Sequence, residues 1–151
     1  MSMQQRNTVV SLVIFSLIFI VFCLRVLQML LAQTFIAANV FWLWGIVALA
    51  AIVATILGTI IANIVFAIVF TIRTKQEPQE SEWLEDERDK LIQLKGTRVS
   101  YGVFSLGVLI AMLSFVLSQP PLVMFTLLIA SGLIAQIVGD VYRLLRYGRG
   151  A

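Results

Sequence analysis

Four uninterrupted apolar runs, at residues 8–32, 41–72, 99–117 and 122–141, constrain this chain more than anything else in it. A helix needs about 20 apolar residues to cross a hydrocarbon core of about 30 Å, and each run meets that length. Because the runs are continuous rather than alternating, they predict helices, which satisfy their backbone amides internally, and not the strands of a barrel. The expected fold class is therefore all-α: a polytopic membrane protein of four transmembrane helices in a single domain. Composition points the same way. Of 151 residues, 60% are hydrophobic and 13% charged, whereas a soluble domain carries about 45–50% and about 25%. The first run is longer than the apolar segment of a signal peptide, about 7–15 residues, and is read as a retained helix. The second is too long for one perpendicular span, so it is expected to tilt or to project beyond the bilayer.

Charge orients these spans. Arg6 precedes the first; Arg73, Lys75, Arg88, Lys90, Lys95 and Arg98 lie between the second and third; Arg143, Arg146 and Arg149 follow the fourth in a basic tail, 142–151. The short connections 33–40 and 118–121 carry no charge. By the positive-inside rule both termini and the central loop are expected on the cytoplasmic side of a cell inner (plasma) membrane. Trp42 and Trp44 then sit where the second span meets the outer interface, the depth of an aromatic belt. The net charge of +3 flanks spans, so it is read as a topology signal and no nucleic-acid partner is expected.

Between residues 79 and 95 the composition turns polar, and the pattern predicts an amphipathic cytoplasmic helix. Trp83, Leu84, Leu91, Ile92 and Leu94 gather in one broad stripe, with acids early and bases late, as the helix dipole favours. Gly96 is expected to break or bend the chain before the third span. Candidate partner-binding residues here are Trp83, Leu84, Arg88, Lys90, Leu91 and Lys95. The run Asp86-Glu87-Arg88-Asp89-Lys90-Leu91-Ile92, followed by Lys95-Gly96-Thr97-Arg98-Val99-Ser100-Tyr101, resembles a segment of uncharacterised small prokaryotic four-helix membrane proteins, in which an acidic stretch precedes a basic residue and an aromatic at the third span. That resemblance implies a bacterial or archaeal inner-membrane protein, of a kind often encoded beside small DNA-binding regulators or transporters, and it supplies no catalytic residue.

Within the spans, small residues form two seams. Ala50, Ala54, Gly58 and Ala62 repeat every fourth residue in the second, and Ser100, Gly107, Ala111, Ser114 and Ser118 share one face of the third. Such seams let helix backbones approach closely, which drives packing where lipid removes the hydrophobic contrast. They serve packing within the chain or between copies in a homo-oligomer. Four intramembrane polar positions stand out: Arg25, Asn63, Gln136 and Asp140. Arg25 either snorkels outward, aided by Gln28, or marks a functional site. Asp140 opposes the dipole near the end of its helix and needs a cation, with Arg143 the nearest and Arg98 or Arg73 as competitors. Asn63 and Thr59 suit interhelical hydrogen bonds, and Cys23 suits packing.

The chemistry this sequence can support is narrow. It has no His and one Cys, which removes the usual zinc sets, a Cys/His nucleophile pair and an internal disulfide. Glu85, Asp86, Glu87 and Asp89 are a conceivable divalent-metal cluster, but neighbouring acids on a helix point in different directions. No catalytic residue, cofactor or metal is expected. The reading is a non-enzymatic membrane accessory or regulatory protein that binds a protein partner through its cytoplasmic helix. The alternative is a subunit of a small oligomeric transporter or channel, disfavoured because no acid lies near mid-membrane and the flanking charge is one-sided.

Overall fold

The computed structural model describes residues 3–74 and 87–148, all of them in helices or the two short turns that join helices. The described residues form four helices: α1 (Met3–Leu31), α2 (Ala37–Thr74), α3 (Glu87–Val116) and α4 (Pro121–Gly148). All four are long and apolar enough to cross a membrane. At about 1.5 Å per residue they are about 43, 57, 45 and 42 Å long, so each exceeds a hydrocarbon core of about 30 Å. One end of the bundle holds the two tight turns and is called here the hairpin end; the other holds the start of α1 and the end of α4.

Local chemistry fixes the hairpin end. α1 and α3 both finish in Schellman caps. The amide of Thr34 donates to the Met29 carbonyl at 2.9 Å and that of Gln33 to Leu30 at 3.3 Å, while Gln119 donates to Ser114 at 3.1 Å and Ser118 to Phe115 at 3.0 Å. This motif places one residue in the left-handed region, and that residue is Gln33 (φ 54°) in the first turn and Ser118 (φ 62°) in the second. Neither is glycine, so both turns hold a conformation that L side chains resist. Pro121 then opens α4 at the position where a missing amide hydrogen costs nothing.

α4 is the organising element. It packs along α3 for most of its length and also against α1, which in turn carries α2. α2 reaches α4 only near the hairpin end, where Leu43 and Val47 join Phe22 of α1 and Leu133 of α4 in the apolar core. Phe125 of α4 meets Phe41 and Trp44 of α2 there, with ring centroids 4.8 and 6.4 Å apart. Below Val47 no residue of α2 is buried among those described, and its isoleucines, valines and leucines face outward. That pattern suits a helix solvated by lipid on most of its circumference.

The small-residue seams lie at the contacts. A Cβ on Gly58 would come 2.7 Å from Ile14 Cδ1 and 3.0 Å from Val10 Cγ1, so the α2 seam, with half-buried Ala54 and Ala62 on either side, rests on α1. In α3, Gly107 lies so close to Ser131 of α4 that a Cβ there would collide with the serine side chain. Ala111 is fully buried and Ser114 half-buried on the same face. Gly139 of α4 completes the seam from the other side, against Ser100 and the Gly96 carbonyl.

One sequence expectation is corrected. Gly96 does not break the chain: α3 runs unbroken from Glu87 through it, so residues 87–95 are the first turns of the third apolar helix rather than a separate element. Gly96 is instead where the Arg143 side chain lies against α3, in space that a Cβ would occupy. The remainder of the expected amphipathic stretch, with Trp83 and Leu84, lies outside the described residues.

Candidate functional site

The side-chain hydrogen bonds between helices gather in one layer, from 15 residues (Gln136) to 26 residues (Asn63) from the hairpin end, and together they touch all four helices. Asp140 on α4 is its centre, 1% exposed, with Arg143 one turn later 8% exposed. Arg143 Nη1 donates to Asp140 Oδ1 at 2.6 Å and its Nη2 to Thr97 Oγ1 of α3 at 3.0 Å. Ser11 of α1 donates to Asp140 Oδ2 at 2.6 Å, and Gln136 Nε2 lies 3.3 Å from both carboxylate oxygens. The carboxylate therefore accepts from α1 and α4 while its cation reaches α3. The two 2.6 Å bonds to the carboxylate, from Arg143 and Ser11, are charge-assisted bonds of the strong kind.

Two further links extend the layer. Gln93 of α3 donates to Thr8 Oγ1 of α1 at 3.3 Å, and Thr8 in turn donates to the Gln4 carbonyl. Asn63 of α2 accepts from Arg6 Nη2 of α1 at 3.2 Å, and the Arg6 guanidinium lies 3.4 Å from the centroid of the Phe66 ring. Arg6 is thus a cation–π and hydrogen-bond bridge from α1 to α2. Two glycines of the α3–α4 contact, Gly96 and Gly139, make the layer possible, because their bare backbones let Arg143 and Ser100 fit between the helices.

Of the four intramembrane polar residues singled out in the sequence, Gln136 and Asp140 bond each other, while Asn63 is held separately by Arg6 and Asn7 of α1. Arg25 is apart, exposed near the hairpin end, with its Nη1 3.4 Å from Gln28 Oε1, a distance that makes a weak bond. Asp140 takes Arg143 as its cation, not Arg98, which is exposed. Thr59 is corrected: its hydroxyl donates to the Thr55 carbonyl at 2.6 Å and lies 2.9 Å from that of Ile56, both within its own helix. Cys23 is exposed, not packed.

Sequence reasoning missed Ser11, Thr8, Thr97 and Gln93. Serine and threonine are unremarkable in an apolar helix, where the hydroxyl can bond the preceding turn. A usable signal was present for two of them: Ser11 lies 20 residues and Thr97 19 residues from the hairpin ends of their helices, against 19 for Asp140, while Thr8 and Gln93 lie about one turn further, at 23.

At the start of α3, two faces separate cleanly. Asp89, Ile92 and Gly96 are buried against the bundle, whereas Arg88, Lys90, Leu91, Leu94, Lys95 and Arg98 are exposed, Leu91 at 55% against 5% for Ile92. Among the described residues no three His, Cys, Asp or Glu side chains converge as a metal would require. Searches against protein-family models, curated proteins and solved structures each return no match to this chain.

Proposed function

We propose that this chain is a non-enzymatic integral membrane accessory or regulatory protein that captures a protein partner through the exposed face at the start of α3, in a cell inner (plasma) membrane with both termini cytoplasmic. The orientation rests on the positive-inside distribution of charge. The single observation that carries the reading is the row Arg88, Leu91, Leu94, Lys95 and Arg98, exposed on the side of α3 away from the bundle. If Val116 marks one membrane surface, about 20 residues bring the chain to Thr97 at the other. The preceding turns, Glu87–Gly96, then project about 15 Å beyond the core. Basic side chains around two leucines suit a partner that offers carboxylates around an apolar anchor. The polar layer beneath supports this role by holding α3 in fixed register with α1 and α4, so the row is displayed on a rigid base.

The test is a photo-crosslinking amino acid introduced at Leu91 or, separately, at Ile92 in native membranes. The reading expects a discrete protein adduct from position 91 and only intramolecular crosslinks from position 92. Adducts to lipid alone from both positions would refute it.

A further inference from the structure

Near the hairpin end, α1 and α2 border a groove of about 600 Å³ that opens outward. Its rim carries Arg25, Met29, Asn39 and Trp42, and its foot lies at Leu17 and Ala50. From Met29 to Leu17 is about 18 Å along the helix, close to the depth of one leaflet, about 15 Å of hydrocarbon with its headgroup boundary. The lining is apolar below the rim and cationic at it. Among the described residues Arg25 has no counter-charge, because the acids there, Glu87, Asp89 and Asp140, all lie toward the other end. Its one hydrogen bond, to Gln28, is long. Trp42 is strongly exposed beside it, at the depth where an indole bridges headgroup and acyl chain.

From this length, lining and unmatched charge we propose that the groove is a binding site for one anionic phospholipid, its phosphate on Arg25 and one acyl chain running down between α1 and α2 to Leu17 and Ala50. An anionic headgroup supplies the missing counter-charge, and a single acyl chain fills a slot one leaflet deep. Asn39 is fixed at the rim, its amide donating to the Thr34 carbonyl at 2.8 Å, so the mouth is held in shape before the lipid arrives. A neutral lipid would fill the slot without meeting the charge.

The test uses the full-length protein carrying Trp44→Phe and Trp83→Phe, so that Trp42 alone reports from the groove. It is reconstituted in vesicles of equal parts phosphatidylglycerol and phosphatidylcholine, with bromine on the acyl chains of one lipid or the other. One arginine near a charged headgroup is worth about a fivefold preference, so brominated phosphatidylglycerol should quench Trp42 with about fivefold higher apparent affinity than brominated phosphatidylcholine. Arg25→Gln should bring that ratio to about one, whereas Arg146→Gln, at the other end, should leave it unchanged. Ala50→Phe, which fills the foot, should weaken quenching by both lipids. Equal quenching by the two lipids, a preference that survives Arg25→Gln, or absence of quenching because a second copy covers the groove would each overturn the proposal. Helicity and monodispersity of the Arg25→Gln protein exclude misfolding as the cause, since Arg25 is exposed and makes one weak bond.

Discussion

Removing the Asp140 carboxylate tests the polar layer where it is most concentrated. In Asp140→Ala the Arg143 guanidinium stays 8% exposed but loses its 2.6 Å partner, and Ser11 and Gln136 lose their acceptor. Breaking a buried ion pair from one side costs about 3–5 kcal/mol, because an uncompensated charge is left behind. Against a total stability on the order of 5–15 kcal/mol that is a large loss. Removing both charges is a different perturbation. Asp140→Leu with Arg143→Met replaces the pair by apolar volume, and such replacements are often neutral or stabilising. The double variant should therefore be more stable than Asp140→Leu alone by about 2 kcal/mol or more, a strong non-additivity for residues in contact. The assay is reversible denaturation of the purified protein in mild detergent, followed by tryptophan fluorescence in a Trp42→Phe, Trp83→Phe background that leaves Trp44, which packs on Phe125 across the α2–α4 contact. A single-variant cost below about 1 kcal/mol, or a double variant whose loss equals the sum of the two singles, would refute the claim that this pair is buried and coupled.

Other consequences are read by the same assay. Gly139→Ala puts a methyl against Ser100 and the Gly96 carbonyl, and Gly107→Leu drives a side chain into Ser131, so each should destabilise by about 1–3 kcal/mol through overpacking. Gly102→Ala, with open space around its Cβ, should instead gain about 0.5–1 kcal/mol from helix propensity; a similar loss at all three glycines would argue against the α3–α4 contact. Ser118→Gly relieves a left-handed residue at φ 62° and should stabilise by about 1 kcal/mol. Arg6→Gln should lose about 0.5–2 kcal/mol of cation–π and hydrogen-bond attachment between α1 and α2, whereas Arg146→Gln, on an exposed site, should change stability little.

How far the sequence reveals this molecule depends on the range of the signal. The four helices and the turns between them follow from apolar runs of membrane length, a property each segment carries alone. The seams at Gly58 and Gly107 were legible because close helix approach needs small residues in a row. Which helix each seam would meet was not legible, since Ala54 and Gly58 have the same chemistry whether they face α1 or a second copy. Gly96 shows the limit best. A glycine ahead of an apolar run reads locally as a helix stop, but here it is spacing for Arg143, a residue 47 positions later in the sequence. Ser11 and Asp140 are likewise joined only by tertiary structure, and a lone serine gives no local sign that it will cap a buried carboxylate.

The partner-capture account is tested most directly by affinity purification of the tagged protein from native membranes in mild detergent, beside a variant with Arg88→Gln, Lys90→Gln and Lys95→Gln. All three residues are exposed, so the variant should fold and purify like the wild type. The account predicts a stoichiometric protein companion with the wild type that disappears from the variant. The same companions at the same stoichiometry with both proteins, or a companion-free homo-oligomer from the wild type, would contradict it.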